Sequence, residues 1–402
     1  MNILFLTISN ITDINERGIY TDLMRQFRDK GHKVYIVSPT ERRYKQPTAL
    51  RQQDGISLLK VKTLNLQKTH VVEKGMGTIL LENKYLAAIK KNLSKAKFDL
   101  ILYSTPPITF EKVIRYIKSR DHAFAYLLLK DIFPQNAVDL NMLSKGGLLH
   151  RYFRKKEKAL YAASDIIGCM SPANVEYVCR HNAEVMPSKV EVCPNSITLS
   201  NEAVLTATER LSIRSKHQLP PEDTLFIYGG NLGKPQGLGF LIEVLEANKN
   251  RKGAYFVVVG SGTEFPMLQK WFETNNPANA LLLKGLPKAE YDDLVKACDV
   301  GLILLDSKFT IPNYPSRLLS YLENRMPVIA ATDINTDIGA IAEENGYGLK
   351  CLSGDIKAMK KHVQFCCENK GRIEEMGQNG YDFLITNYTV QHSYDIIIKH
   401  FM

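Results

Sequence analysis

Apolar residues follow one another in short continuous runs, and the stretches between these runs carry apolar residues at helical spacing. "NILFLTIS", "HKVYIVSP" and "DLILYSTPP" are predicted strands, and "GIYTDLMRQFRDKG" is a predicted helix that ends at Gly31. "AFAYLLLKDIFP" is a further strand that ends at Lys130 and Asp131, and the basic helix "RYFRKKEKALYAASD" follows it. Continuous apolar strands that alternate with helices are typical of a parallel sheet covered on both faces. The pattern is less clear over residues 38–80.

The alternation stops at residues 198–221, a polar stretch that ends in two prolines, and then starts again. "TLFIYGG", "GAYFVVVG", "VGLILLD" and "MPVIAATD" are strands of this second half. We therefore expect an α/β fold of two doubly wound parallel-sheet domains that face a cleft, a division that suits 402 residues. The predicted bounds are residues 1–200 and 222–380, with a linker at 201–221 and a C-terminal helix, 381–402, that packs back on the first domain.

The composition of the chain indicates where in the cell the protein is expected. The chain contains no run of about 18 uncharged apolar residues, so we expect no transmembrane helix. The first segment, "MNILFLTISN", is better interpreted as a buried strand than as a signal peptide. The seven cysteines form no C-x-x-C pair, which favours reduced thiols in a cytoplasm.

Charge is unevenly divided between the two halves. Residues 1–200 hold 31 of the 52 basic and 18 of the 42 acidic residues, and the remainder holds 21 basic and 24 acidic ones. The basic half indicates an anionic partner such as a membrane surface, although ordinary solvated lysines would give the same count. No nucleic-acid-binding motif accompanies the charge, so we expect no nucleic-acid partner.

Two glycine-rich stretches follow predicted strands of the second half. In "YGGNLGKPQGLGF", Gly229, Gly230 and Gly233 stand between a strand and a helix, with Lys234 beside them. Such a loop either binds a phosphate through its N–H groups or makes a tight turn. "VVVGSGTEF" lacks the third glycine of a dinucleotide fingerprint and is interpreted as a second loop at the same edge.

The order of these segments resembles the retaining glycosyltransferases of family four, which have the two-domain GT-B fold. "GIYTDLMRQFRDKGHKV", "CPNSI", "YGGNLGKPQG", "VVVGSGTE" and "PSRLLSYLENRMPVIA" carry the resemblance over nearly the whole chain. The D-x-x-P loop "KDIFPQN" and the P-S-[RK] turn "YPSRLLSYL" are similar to the capsule and O-antigen branch, in which some members transfer N-acetylated deoxyhexoses such as N-acetylfucosamine.

The resemblance implies transfer of a sugar from a nucleotide diphospho-sugar, with UDP as the commonest nucleotide, to a lipid-linked oligosaccharide. It implies retention of the anomeric configuration, no cofactor, and a cytoplasmic location at the inner membrane. The basic helix, with Arg151, Arg154, Lys155, Lys156 and Lys158, would then lie on the anionic leaflet. No Asp-x-Asp motif is present, so we predict no metal ion in the reaction.

The resemblance also assigns residues. Glu323 matches the second acid of the family's E-x7-E motif, which binds the ribose hydroxyls, and Pro315 stands where the first acid is expected. Asn231 and Gln236 occupy the places of the family's phosphate-binding Arg and Lys, so Lys234 and Arg317 are the replacement cations. The predicted catalytic residues are Asp131, Lys234 and Arg317, and the predicted substrate-binding residues are Gly18, Gly230, Asn231, Gly233, Gln236, Ser316 and Glu323.

Two other functions remain open at this point. A sugar-nucleotide epimerase of the same two-domain build would consume a donor without an acceptor. A non-catalytic subunit that binds a partner transferase would explain the missing family residues.

Overall fold

The computed structural model describes residues 1–66, 71–200 and 205–402, with the backbone alone for residues 71, 72 and 74. Residues 201–204 of the predicted linker lie outside the described residues. The chain forms two compact units. Unit 1 contains Met1–Thr198 and Thr389–Met402, and unit 2 contains Leu199–Tyr388.

Unit 1 is built on an eight-stranded sheet with the order β3-β4-β2-β1-β5-β6-β7-β8, parallel except for β3. Its strands are β1 (Asn2–Leu6), β2 (Lys33–Glu41), β3 (Ala49–Gln53), β4 (Ile56–Thr63), β5 (Leu100–Ser104), β6 (Phe124–Leu129), β7 (Ile166–Cys169) and β8 (Val190–Val192). Its first helices are α1 (Ile19–Asp29), α2 (Val71–Asn92), α3 (Glu111–Asp121), α4 (Gln135–Asp139), α5 (Leu148–Ala163) and α6 (Pro172–His181). The region that was unclear from the sequence thus contains the hairpin of β3 and β4 and the start of α2.

Unit 2 has a six-stranded, wholly parallel sheet with the order β11-β10-β9-β12-β13-β14. Its strands are β9 (Thr224–Asn231), β10 (Ala254–Ser261), β11 (Ala280–Lys284), β12 (Val300–Leu304), β13 (Val328–Thr332) and β14 (Gly348–Leu352). Its helices are α7 (Ala207–Lys216), α8 (Leu238–Asn248), α9 (Phe265–Asn275), α10 (Lys288–Lys296), α11 (Arg317–Glu323), α12 (Ile338–Glu344), α13 (Ile356–Glu368) and α14 (Lys370–Asn387). The four inner strands bury continuous apolar runs between the helices, as the sequence predicts, whereas the edge strands β11 and β14 are partly exposed.

Helix α7 lies inside the stretch that the sequence presents as a polar connection. A capping box begins it: the Thr206 hydroxyl accepts the N–H of Glu209, and the Glu209 carboxylate accepts the N–H of Thr206. The helix is fixed to unit 2 by Arg214, which is buried and donates to the Asp299 carboxylate at 2.8 Å and to the Pro221 carbonyl at 2.7 Å. The connection is therefore partly an integral helix of unit 2.

The last helix, α15 (Val390–Ile398), belongs to unit 1 although it follows all of unit 2 in the chain. Its Tyr394 ring meets the Phe27 ring of α1 edge to face, with centroids 5.0 Å apart. The Val390 N–H donates to the Ile197 carbonyl at 3.1 Å, and Ile397 is fully buried in the core of unit 1. Among the described residues, no helix combines the length and apolarity needed to cross a bilayer.

Candidate functional site

The glycine loop, residues 229–237, connects β9 to α8 at the carboxyl end of the central strand of unit 2. In open parallel sheets this edge is where ligands bind. Gly230 has a φ of 112°, which residues with a Cβ rarely adopt. Gly230, Asn231 and Lys234 are exposed in the loop, whereas Gly233 is buried and Gln236 is half-buried.

The second glycine stretch, Gly260 and Gly262, has a structural reason. β10 runs beside β9 in a register that places Gly260 opposite Gly230. A Cβ on Gly260 would overlap the Gly230 carbonyl, and a Cβ on Gly262 would overlap the backbone of Leu232. These glycines therefore let the two loops pack against each other, in agreement with the interpretation of "VVVGSGTEF" as a neighbouring loop.

Arg317 begins α11 and reaches the glycine loop. Its guanidinium lies over the Tyr228 ring, with the carbon 4.3 Å from the ring centroid, and its Nη2 donates to Gln236 Oε1 at 2.5 Å. The Tyr228 hydroxyl donates to the same Oε1 at 3.0 Å. Two donors on one oxygen fix the orientation of the Gln236 amide, so a cation from α11 lies beside the loop position where the resemblance expects one.

The Arg317 guanidinium keeps hydrogen-bonding capacity. Its Nη1 is buried and donates to no acceptor among residues 1–66, 71–200 and 205–402. Burial by itself lowers the pKa of this side chain, but the nearby hydroxyls of Tyr228 and Tyr321 outweigh it, and the pKa is raised. A permanent positive charge with an unused donor is an arrangement that favours an anion.

Tyr321 and Tyr291 enclose the start of the glycine loop. The buried Tyr321 hydroxyl donates to the Ile227 carbonyl and accepts the N–H of Gly229, each at 3.2 Å. A Cβ on Gly229 would overlap the Tyr291 hydroxyl, whose pKa is raised to about 12 by burial. These tyrosines are not among the residues predicted from the sequence. The spacing of Arg317 and Tyr321, four residues apart on one helix face, is the signal that could have found one of them.

Glu323 and Ser316 lie at the two ends of α11. Ser316 is exposed at the N-cap, and its side chain caps no N–H of the helix. Glu323 is half-buried at the last residue, and its Oε1 accepts the N–H of Ser200 at 2.7 Å. Six residues separate Arg317 from Glu323, about 9 Å along a helix axis. The structure thus brings Gln236 and Arg317 into contact and places Glu323 farther along the helix, while Lys234 is exposed on the loop.

In unit 1, Lys130 and Asp131 directly follow β6, as predicted. The Thr105 hydroxyl accepts the N–H of Lys130 at 3.0 Å and of Asp131 at 3.2 Å. Burial raises the pKa of Asp131 to about 6 and lowers the pKa of Lys130 to about 8, and Lys130 Nζ donates to the Cys193 carbonyl at 3.2 Å. Asp131 is therefore a carboxylate whose protonation changes close to neutral pH.

Gly18 is the N-cap of α1, and its N–H is already paired with Asp22 Oδ1 at 2.9 Å. The buried Asp22 carboxylate also accepts Arg25 Nη2 at 2.6 Å and the N–H of Thr198 at 2.9 Å. Asp22 thus orders the loop after β1, a role that was not predicted from the sequence. No group of three or more His, Cys, Asp and Glu side chains in the described ranges is arranged to hold a metal ion.

Comparison with known proteins finds a family model that matches most of unit 2. Residues 209–383, from the first turn of α7 into α14, match the family described as glycosyl transferases group 1. A relative from Pseudomonas aeruginosa, named probable glycosyltransferase WbjE, is 23% identical over 313 residues, which cover 75% of this chain and 74% of the relative.

Solved structures extend the likeness to both units. Sucrose-phosphate synthase from Thermosynechococcus elongatus superposes with a TM-score of 0.78 at 14% identity, covering 100% of this chain and 98% of that one. HepE from Anabaena, in a complex with UDP-glucose, gives a TM-score of 0.70 at 14% identity, with coverage of 100% and 99%. The predicted α/β fold with two doubly wound domains, the GT-B architecture, is confirmed.

Proposed function

We propose that this chain, whose residues 209–383 match the glycosyl transferases group 1 family, transfers a sugar from a UDP-sugar to a lipid-linked oligosaccharide. The proposed sugar is an N-acetylated deoxyhexose, and the proposed product is a bacterial surface polysaccharide. The family match and the resemblance to the capsule and O-antigen branch support this reaction. The UDP-glucose bound to HepE, a protein of similar fold, supports the nucleotide.

The contact between Arg317 and Gln236 is the observation on which the proposal depends. Departure of the nucleotide leaves negative charge on a diphosphate, and fixed donors aimed at that charge accelerate the step. Arg317 supplies a guanidinium beside the glycine loop, and the exposed Lys234 supplies a second cation. The bond to Gln236 and the Tyr228 ring hold the guanidinium in place before substrate binds, so little reorganisation is needed.

Unit 1 is proposed to contribute Asp131 to the reacting sugar or to the acceptor hydroxyl. With a pKa of about 6, this side chain is ionised at pH 7 and accepts a hydrogen bond strongly. The proposed outcome is retention, in which the leaving phosphate oxygen takes the proton of the acceptor hydroxyl. We assign no metal ion to this step.

Glu323, Ser316 and Gly18 complete the proposed substrate contacts. Glu323 is proposed to accept hydrogen bonds from the ribose hydroxyls, with its orientation set by the N–H of Ser200. Ser316 is exposed where α11 begins, next to Arg317, and suits a contact to phosphate. Gly18 is proposed to let substrate approach the backbone at the start of α1, where Asp22 fixes the chain.

Calorimetric titration of UDP into Arg317→Met tests the diphosphate contact. Loss of a charge-assisted bond is expected to weaken UDP binding about 10- to 100-fold. Arg325→Met is a matched control, because Arg325 also lies over a tyrosine ring, 3.9 Å from the centroid of Tyr381, and donates to a glutamine oxygen, that of Gln378, outside the glycine loop. Equal affinities of the two variants would contradict the role of Arg317.

The same titration on the wild type separates the alternatives. Absence of UDP binding would favour a non-catalytic subunit. A mass-spectrometric screen of nucleotide sugars then identifies the donor. Conversion of a donor to its epimer with no acceptor present would favour the epimerase.

A further inference from the structure

Two helices of unit 1 expose large apolar side chains in their N-terminal halves. On α5, Leu148 is 87% exposed and Leu149 is 60% exposed, and Tyr152 lies one turn farther along. On α2, Met76 and Ile79 are 54% and 48% exposed. Single exposed apolar residues are ordinary, but a group of them on two helices that flank a third, α3, marks a surface that contacts something apolar.

An ion pair links α5 to α2 across the N-terminus of α3, where Glu111 and Lys112 contact the paired residues. Lys156 Nζ of α5 lies 3.5 Å from Glu82 Oε2 of α2. Tyr152 is four residues before Lys156 and Ile79 is three residues before Glu82, so each lies on the same helix face as its partner in the pair. The apolar residues of both helices therefore extend from this ion pair toward the helix N-termini. Since each helix returns antiparallel to its strand, this is the carboxyl edge of the sheet.

We define the apolar patch as Met76, Ile79, Leu80, Met142, Leu148, Leu149 and Tyr152, all exposed. The charges at the patch are of one sign. Lys145, Arg151 and Lys155 are exposed beside it, whereas the neighbouring acids Glu82 and Glu111 are paired with Lys156 and Arg115.

Some cations of the basic helix α5 form ion pairs within the protein, and others are exposed to solvent. Arg154 and Lys158 of the same helix bind Glu157 and Glu184 within the protein, and Lys156 binds Glu82. Arg151 and Lys155 are exposed three residues after Leu148 and Tyr152, which places them on the same face of α5. Lys145, Arg151 and Lys155 form no ion pair within the described part of the chain, and apolar side chains flanked by such cations complement a surface with an apolar interior and an anionic rim.

We infer that the apolar patch inserts into an anionic lipid bilayer, with Leu148 and Leu149 entering the acyl region and Lys145, Arg151 and Lys155 contacting headgroup phosphates. This would bring the carboxyl edge of the unit 1 sheet, including Asp131 after β6, toward the membrane. The inference rests on the proposed function for the lipid-linked acceptor. It goes beyond a purely electrostatic contact, because it assigns the residues that enter the lipid.

Co-sedimentation with vesicles of phosphatidylcholine containing phosphatidylglycerol tests the inference without any sugar substrate. We expect Leu148→Ser with Leu149→Ser to weaken vesicle binding at least about tenfold. Leu352→Ser with Ile385→Ser is the control, since these residues are 53% and 43% exposed on unit 2, and it should bind like wild type. Replacing Lys145, Arg151 and Lys155 by Gln should weaken binding at low salt.

A spectroscopic reporter locates the insertion. The only tryptophan, Trp271, is in unit 2, so Tyr152→Trp in a Trp271→Phe background places the only indole at the patch. Brominated lipids should quench it. Failure of wild type to bind vesicles, or full binding by the double serine variant, would overturn the inference.

The inference would also be overturned if sedimentation showed that the wild type is a dimer and the double serine variant is a monomer, because the patch would then be an interface between copies. UDP titration of the same samples keeps this result separate from the donor-binding proposal.

Discussion

Replacing Tyr321 by phenylalanine should destabilise unit 2, because the Tyr321 hydroxyl makes hydrogen bonds to two backbone groups of β9. The β12 strand pairs with β9 at Phe226 and Ile227. Beyond this pairing the Tyr321 hydroxyl takes over, donating to the Ile227 carbonyl and accepting the N–H of Gly229, each at 3.2 Å. The phenyl ring would keep its packing but leave both backbone groups without this partner.

The magnitude follows from the two lost bonds. A buried polar group without a partner costs about 1–3 kcal/mol, and local relaxation recovers part of this. We expect the free energy of unfolding to fall by about 2 kcal/mol, or the melting temperature by about 4–8 °C for a unit of this size. Because Gly229 opens the glycine loop, UDP affinity should fall as well.

Tryptophan fluorescence during urea denaturation measures this change in the relevant unit. Trp271 is the single tryptophan of the chain and packs on the core of unit 2, so its emission reports the unfolding of that unit. Tyr44→Phe is the control, since Tyr44 is 53% exposed in unit 1. If Tyr321→Phe unfolds within about 0.5 kcal/mol of wild type, the reasoning that the hydroxyl completes the strand pairing is refuted.

Two further predictions concern unit 1 and pH. The pKa of Asp131 is raised to about 6 by burial, so its ionisation opposes folding by an amount that grows from about pH 4 and is complete above about pH 6. Asp131→Asn should therefore stabilise the protein by about 2 kcal/mol at pH 7.5, with no difference below about pH 4, while activity falls. Thermal unfolding by circular dichroism at both pH values checks this, and an equal effect at both would contradict it. Burial raises the pKa of Glu191, but hydrogen bonds from His400 and Lys399 together have the larger effect, so the pKa is lowered overall. Its folded-state pKa thus lies below the unfolded value, and its stabilisation is present above about pH 4.3 and lost as the pH falls through the folded-state pKa. Glu191→Gln should unfold more easily than wild type at pH 7 and equally at pH 3, and a gap that persists in acid would argue against it.

The strands and the glycine loop could be predicted because they depend on local signals. Apolar runs mark strands, and a polar segment with glycines after a strand marks a loop at the carboxyl edge. The resemblance also indicated Arg317 as a replacement cation, because Gln236 stands where the family has a basic residue, and its role in binding stays a prediction. Helix α7 lies in the stretch interpreted as a polar connection, but Thr206 and Glu209 have the spacing of a capping box, which is a local signal for the start of a helix.

The remaining site residues depend on contacts between distant parts of the chain. Tyr228, Tyr291 and Tyr321 converge on the glycine loop from one strand and two helices, and nothing in their local sequence separates them from ordinary core tyrosines. The need for glycine at Gly260 arises from the register of β10 against β9, which the sequence does not give. Asp22 likewise gains its role from Thr198, far along the chain.

The return of α15 to unit 1 has a consequence for the order in which the protein matures on the ribosome. The face of α1 that carries Phe27 receives its cover from Tyr394, which is translated only after every residue of unit 2. During synthesis this face of α1 therefore stays uncovered until unit 2 has been translated. A nascent chain arrested before residue 389 would expose that face to chaperones and proteases.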